Sequence, residues 1–166
     1  MADLIHTYLL QILHLDLKTG IWTWRVQPNG HVPAGSIAGT PKPRGNLEIK
    51  IDGKLYQASR LAWFYVHGRW PKREVDHKNL DPSDNRPSNL RTATDSQQGA
   101  NRHRLANKNL NTPKGVSFHK ASGKFTARIK VNQKHINLGL FPTMAEAHAA
   151  YIAAAKKYFG KFARWE

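Results

Sequence analysis

The sequence predicts an α+β protein in which a strand–loop–strand–helix segment is followed by a small three-stranded antiparallel sheet packed on one helix. Residues 115–140 alternate apolar and polar side chains in three short runs, the period-2 pattern of half-buried strands. Residues 143–160 form an alanine-rich segment that begins with a capping-box sequence, Thr143 and Glu146. Because the sheet and the helix each have one apolar face, we expect those faces to pack together.

The N-terminal part of the chain is predicted to contain two helices and three extended runs. In order, these are a helix over 4–13, extended runs over 21–26, 46–51 and 54–58, and a helix over 60–67. Asp52-Gly53 joins the last two runs, and this dipeptide between alternating segments is a strong hairpin signal. Ser59 is placed to cap the second helix, and Gly68 is placed to end it.

The most polar stretch, residues 74–104, is predicted to form the strand–loop–strand–helix segment. The strands are at 74–77 and 90–93, and the loop between them contains two prolines. A helix begins near Thr94, since Thr94-x-x-Gln97 fits a capping box. We therefore expect three parts in the chain: a first domain over 1–104, a basic linker over 105–114 and a second domain over 115–166.

Charge and cysteine content narrow the classes of function. Lys and Arg total 26 against 11 Asp and Glu, which gives a net charge of +15, and the 166 residues include no cysteine. The charge favours a polyanion such as nucleic acid over a membrane surface, because the basic residues are spread over strands and loops. The lack of cysteine excludes disulfides, thiolate catalysis and cysteine-ligated zinc. No stretch has the length of a transmembrane helix and the N-terminus lacks a basic signal-peptide start, so we expect a cytoplasmic protein.

The polar segment contains an ordered set of motifs. They are Val75-Asp76-His77-Lys78-Asn79, Asp84-Asn85-Arg86, Ser88-Asn89-Leu90-Arg91 and Gln97-Gln98-Gly99-Ala100-Asn101-Arg102. This set resembles the HNH endonuclease family and is most similar to the homing-type members of phages, prophages and introns. The resemblance covers roughly residues 15–104 and implies a ββα-metal nuclease module, with its motif core at 74–104, in a bacterial host cell.

The residue types of these motifs suit phosphodiester hydrolysis. The reaction needs a base that activates water and a cation that stabilises the charge developing on the phosphate. His77 is suited to act as the base, since an imidazole has an ordinary pKa of ~6.5 and is largely neutral at cytoplasmic pH. Asp76 is suited to hold a hard divalent ion such as Mg²⁺, with Mn²⁺ or another divalent ion as alternatives.

The resemblance assigns the remaining site residues. It implies that Asn89 fixes the loop and orients His77, and that the second metal ligand falls at Gln98, where Asn or His is usual in the family. The amide of Gln offers the same carbonyl oxygen on a longer side chain. Asn101 and His103, one helical turn further along, are the alternative ligands.

The second domain is predicted to read DNA with its sheet. Alternation places helix-facing side chains at Phe125, Ala127, Ile129, Val131, Ile136, Leu138 and Leu140. The run from Gly115 to Tyr151, with Asn137-Leu138-Gly139-Leu140-Phe141 before an alanine-rich helix, resembles the APETALA/ethylene-response-factor type of DNA-binding domain. The residues that we expect to contact DNA in the whole chain are Arg91, Arg102, Arg104, Lys124, Thr126, Arg128, Lys130, His135 and Asn137.

These observations are compatible with three classes of function. The leading hypothesis is a metal-dependent endonuclease that nicks or cleaves double-stranded DNA as a monomer, with no membrane or small-molecule partner. The second is a catalytically weakened DNA-binding or regulatory protein of the same ancestry, disabled at Gln98. The third, a basic RNA-binding or ribosome-associated protein, explains the charge but leaves the Asp-His and Asn motifs without a role.

Overall fold

The computed structural model describes residues 4–101 and 112–165, which pack into two compact units, Met1–Ala93 and Thr94–Glu166. We call them the N-terminal unit and the C-terminal unit. The division falls directly after the second strand of the polar segment. The helix that the sequence analysis placed in the first domain therefore packs within the C-terminal unit.

Among its described residues, 4–93, the N-terminal unit contains two α-helices, seven short strands and one 3₁₀ helix. Their bounds are α1 His6–Ile12, β1 Leu13–Leu15, β2 Trp22–Trp24, β3 Thr40–Pro41, β4 Leu47–Ile51, β5 Lys54–Gln57, α2 Ala58–His67, β6 Glu74–His77, a 3₁₀ turn Pro87–Asn89 and β7 Leu90–Ala93. The strands pair antiparallel in three small sheets, β1–β2, β3–β4–β5 and β6–β7. Strands β1 and β3 were not predicted from the sequence.

Two helices and the β1–β2 pair bury the core of this unit. The side chains of Leu9, Leu13, Trp22 and Leu61 are completely buried there. Burial of a Leu-sized side chain contributes roughly 1.5–3 kcal/mol, so each of these residues makes a substantial contribution to the stability of the unit. The bend from α1 into β1 occurs because Leu13 takes an extended conformation and pairs with Trp24.

The predicted cap at Ser59 is wrong. Helix α2 begins one residue earlier, at Ala58, and its N-cap position is Gln57, which makes no side-chain capping bond. Ser59 lies in the first turn and is buried, because the apolar face of the helix that packs on the core includes that position. The predicted end is confirmed: Gly68 adopts a left-handed conformation with φ 66°.

The predicted hairpin and the polar segment are confirmed. Strands β4 and β5 pair through the Asp52-Gly53 turn, where both residues have positive φ, 47° and 81°. Strands β6 and β7 have the predicted bounds and pair antiparallel. The polar loop between them ends in the 3₁₀ turn that begins at Pro87. The loop is thus closed at its base by a two-stranded ladder.

The C-terminal unit is a three-stranded antiparallel sheet packed on a long helix. Its elements are α3 Asp95–Asn101, β8 Val116–His119, β9 Lys124–Val131, β10 Lys134–Phe141, α4 Met144–Phe159 and a 3₁₀ turn Gly160–Phe162. Strand β9 is central, and α4 packs on the sheet over Val116, Ala127 and Ala147. Both predicted capping boxes are present, at Thr94 and at Thr143. Among residues 4–101 and 112–165, no helix is long and apolar enough to cross a membrane.

A β-bulge corrects the predicted faces of β10. The register shifts between Asn137 and Gly139, so Gly139 pairs with Ala127 and Leu140 pairs with Thr126. Leu140, which was predicted to face the helix, is therefore on the opposite face of the sheet and is 48% exposed. An extra residue in one strand reverses the alternation beyond it, and a glycine inside a strand pattern is the sequence signal for such a bulge.

Candidate active site and nucleic-acid interface

Strand β6 presents the two residues that the sequence analysis placed at the centre of the site. Asp76 is paired in register with Arg91 of β7, and His77 with Leu90. The Arg91 guanidinium donates through Nε to Asp76 Oδ2 at 2.9 Å, and each of the two side chains is only 10% exposed. His77 is half-buried at the end of the strand, where the polar loop begins.

Asn89 fixes the polar loop from its C-terminal end. Its Oδ1 accepts from the backbone N–H of Asn79 at 3.1 Å, and its Nδ2 donates both to Asn79 Oδ1 and to the backbone oxygen of Asp84, each at 2.9 Å. One buried amide therefore holds both sides of the loop. The loop-fixing part of the predicted role has a geometric basis in these contacts, while the orientation of His77 by Asn89 stays a prediction.

Two aspartates stabilise the loop itself. Asp81 Oδ1 accepts from the backbone N–H and the hydroxyl of Ser83. Asp84 accepts from the Arg86 guanidinium through both carboxylate oxygens, at 2.8 and 2.6 Å. The hydrogen bond from Arg86 is the main cause that lowers the pKa of Asp84 to about 2. Both carboxylates thus serve the turn, as short Asx side chains do.

Asn85 lies in the Asp84-Asn85-Arg86 motif and has no role predicted from the sequence. This side chain is 1% exposed, and its Oδ1 lies 3.5 Å from His77 Nε2. Its Nδ2 donates to the backbone oxygen of Ser83 at 3.0 Å. A deeply buried amide needs hydrogen-bond partners. The position of Asn85 in the middle of a short polar motif was the sequence signal that it could have a structural role in the loop. Which partner it meets depends on how the loop closes.

Gly20 supports the loop from a distant part of the N-terminal unit. It has φ 76°, and a Cβ added there would lie 2.6 Å from the backbone nitrogen of Arg86 and 2.9 Å from the carbonyl carbon of Asn85. Only a residue without a side chain allows this approach. The turn that precedes Gly20 is itself held by Asp16, whose carboxylate accepts from the backbone N–H groups of Lys18 and Thr19.

The candidate metal ligand of the N-terminal unit is the carboxylate of Asp76. Among the residues that the structure describes, no three His, Asp, Glu or Cys side chains gather in a metal-binding group. Mg²⁺, however, commonly binds through one or two carboxylates together with waters and substrate phosphates, rather than through a full protein cage. Asp76 is a carboxylate of this kind, and one of its oxygens already accepts from Arg91 Nε at 2.9 Å.

The candidate second ligands belong to the C-terminal unit or lie outside the described residues. Gln98 is half-buried in α3. Asn101, at the end of the same helix, is 2% exposed, and its Oδ1 accepts from Arg164 Nε at 3.0 Å. Lys114 Nζ donates to the backbone oxygen of Ala100 at 2.7 Å. His103 lies outside the described residues.

The sheet of the C-terminal unit presents a polar face opposite α4. Its register pairs Arg128 with Asn137 and Lys130 with His135, and all four side chains are exposed. Lys124, at the start of the same central strand, is also exposed. Cation and amide donors therefore stand in rows across two strands, which suits contacts with phosphates and base edges.

Two of the residues expected to contact DNA, Thr126 and Arg91, expose little of their surface to solvent. Thr126 is 3% exposed, because it lies on the central strand between Ser117 and the outward-facing Leu140. The Arg91 side chain is 10% exposed, because its guanidinium pairs with the buried Asp76. Two others, Arg102 and Arg104, lie outside the described residues.

Most of the polar segment lies in a part of the chain that is similar to a known protein family. Residues 56–100 match the family model described as HNH endonuclease. The matched HNH segment runs from the end of β5 into α3, about a quarter of the chain, and includes Asp76, His77, Asn85, Asn89 and Gln98. The match supports a nuclease that acts on DNA. The comparison with curated protein sequences gave no match.

Proposed function

We propose that this protein is a metal-dependent HNH endonuclease of the homing type that hydrolyses phosphodiester bonds in double-stranded DNA. The observation that carries the proposal is the position of the adjacent Asp76 and His77, at the end of a strand whose following loop is fixed by the buried Asn89. This arrangement lies within the segment that matches the HNH endonuclease model. Catalysis by positioned groups depends on such support.

In this mechanism His77 is the general base, which accepts a proton from the water that attacks the phosphorus. The half-buried position at the mouth of the loop leaves the imidazole accessible to water. Asp76 would hold Mg²⁺ or Mn²⁺, with Gln98, Asn101 or His103 as the proposed second ligand. The bound ion supplies positive charge against the negative charge that develops on the phosphate and the leaving oxygen.

The C-terminal unit would position the duplex. Its rows of Arg128, Asn137, Lys130 and His135 support this role, together with the net charge of +15. We propose that it is a domain of the APETALA/ethylene-response-factor type and that the chain acts as a monomer in a bacterial cell, encoded by a phage or prophage. The proposed linker over 105–114, of which residues 105–111 lie outside the described residues, would follow the DNA backbone.

A nicking assay tests the proposal directly. Supercoiled plasmid is incubated with the protein and Mg²⁺, Mn²⁺ or EDTA, alongside the variants His77→Ala and Asp76→Asn. His31→Ala is the matched control, because His31 is an exposed histidine of the same unit. We expect metal-dependent nicking that both site variants abolish and the control keeps. Nicking that survives in His77→Ala at the wild-type rate would exclude His77 as the base.

A weakened DNA-binding protein is the second candidate function. The specific observation in its favour is the 2.9 Å ion pair of Arg91 with the buried Asp76, which already places a positive charge on the candidate metal ligand. Tight duplex binding without cleavage under any of the ions would support this candidate. The variant Arg91→Met would then be tested for recovered cleavage, because it removes the competing cation.

A further inference from the structure

We propose that Asn85 is the positioning residue that determines which ring nitrogen of His77 carries the hydrogen. The catalytic consequence rests on the proposed nuclease function, whereas the tautomer is a property of the free protein and can be measured without substrate. The role differs from that of Asn89, whose described amide contacts hold the loop backbone and Asn79. It assigns a task to a buried amide that the mechanism above does not use.

The orientation of the Asn85 amide follows from its second contact. A backbone carbonyl can only accept, so the group that faces the Ser83 oxygen at 3.0 Å must be the NH₂ group, Nδ2. The amide oxygen, Oδ1, therefore faces His77 Nε2, at 3.5 Å. The hydrogen-bond network is what decides between the two orientations of an amide.

An acceptor opposite Nε2 selects one tautomer of the imidazole. A neutral imidazole has one N–H donor and one nitrogen with a lone pair. With Oδ1 of Asn85 facing Nε2, the hydrogen is favoured on Nε2 and the lone pair on Nδ1. Nδ1 of His77 is then the atom that accepts the proton from water. At 3.5 Å the contact is long, as catalytic hydrogen bonds often are before substrate binds.

The surroundings make Asn85 a rigid partner. The residue is 1% exposed, and its backbone N–H donates to the oxygen of Ser83 at 3.1 Å. The backbone of Gly20 lies against its other side, close enough that a Cβ there would be 2.9 Å from the Asn85 carbonyl carbon. Exclusion of water strengthens a polar contact in such a position, because the local dielectric constant is low.

Two variants separate the contact with His77 from the contact with Ser83. Asn85→Ala and Asn85→Asp both remove the donor to the Ser83 oxygen, and Asn85→Asp also places a carboxylate near that oxygen, so their effects on the loop are compared separately. Only Asn85→Asp keeps an oxygen acceptor on a side chain of the same length. The difference between the two variants therefore reports the acceptor that faces the imidazole. Thermal unfolding of both identifies any general loss of structure.

The tautomer is read from the ¹⁵N shifts of His77 in the free full-length protein, at a pH where the imidazole is neutral. The exposed His31 provides the reference for an imidazole in water. We expect hydrogen on Nε2 in the wild type and in Asn85→Asp, and a mixture like that of His31 in Asn85→Ala. Hydrogen on Nδ1 in the wild type, or the same tautomer mixture in the two variants, would overturn the proposal.

The cleavage assay adds the functional readout. We expect kcat to fall about 10- to 100-fold in Asn85→Ala with KM unchanged, since loss of a group that orients a functional side chain has effects of this order. Asn85→Asp should recover part of kcat. Equal kcat values in the two variants would overturn the positioning role. If the wild type does not cleave DNA at all, the nuclease proposal fails, while the ¹⁵N shifts still decide the tautomer.

Discussion

Replacement of Gly20 by Ala is expected to damage both stability and cleavage. At φ 76° a Cβ costs roughly 1–2 kcal/mol in conformational energy. The added atom would also lie 2.6 Å from the backbone nitrogen of Arg86, where ordinary contacts begin at 3.4 Å. The loop backbone must therefore move by roughly 0.8 Å, and overpacking of this kind adds about 1–3 kcal/mol. The free energy of unfolding should fall by about 2–5 kcal/mol in total.

Gly53→Ala is the matched control, because it separates conformational cost from the clash. Gly53 has φ 81°, yet a Cβ built there has no neighbour within 4 Å. This variant should lose only the conformational part, roughly 1–2 kcal/mol. Both variants are compared by denaturant unfolding, followed by tryptophan fluorescence, since Trp22 is completely buried two residues from Gly20.

Cleavage is then measured under conditions where both glycine variants are folded. A displacement on the order of 1 Å in a supporting group can lower a rate about 100-fold, so kcat should fall about 10- to 100-fold in Gly20→Ala and stay unchanged in Gly53→Ala. Equal losses of stability and of kcat in the two variants would refute the argument that Gly20 supports the loop through close approach.

Three further predictions concern single contacts. Asn89→Ala removes three hydrogen bonds to the loop and should lower the calorimetric free energy of unfolding by about 2–4 kcal/mol, and an unchanged value would contradict its bracing role. Arg86 lowers the pKa of Asp84 to about 2. The ionised carboxylate therefore stabilises the folded protein at pH values above its ordinary pKa of 3.8, and this stabilisation is lost as the pH falls through about 2. Carboxyl ¹³C shifts should show this, with a return toward 3.8 in Arg86→Gln. Arg128→Ala should weaken duplex binding, measured by fluorescence anisotropy, and should reduce by about 1 the slope of the logarithm of the binding constant against the logarithm of the salt concentration. Thr126 is buried, so Thr126→Val should change neither quantity.

The local sequence was sufficient to predict most of the helices and strands. The bounds of β6 and β7, the hairpin at Asp52-Gly53 and the capping box at Thr143 all depend on residues within a few positions of one another. Such signals act through backbone propensity and short-range hydrogen bonds, so they can be read from a single sequence. The failure at Ser59 has the opposite origin, since burial against the core determined where α2 begins.

The candidate site residues were also predicted from the sequence. Asp76 and His77 follow from the chemistry of their residue types and Asn89 from the family resemblance, and all three lie in the segment that matches the HNH endonuclease model. Their roles in catalysis stay predictions. Composition likewise indicated a polyanionic partner, because a net charge of +15 does not depend on the fold.

Only the tertiary structure decided which side chains are withdrawn from solvent and what they contact. Arg91 was expected to contact DNA, yet strand register places it on Asp76, 15 positions away in the chain. The β-bulge before Gly139 turned Leu140 outward, which no alternation pattern could show. The approach of Gly20 to Asn85 joins residues 65 positions apart. Such contacts depend on register and on chain closure, which are properties of the whole packed unit rather than of any short segment.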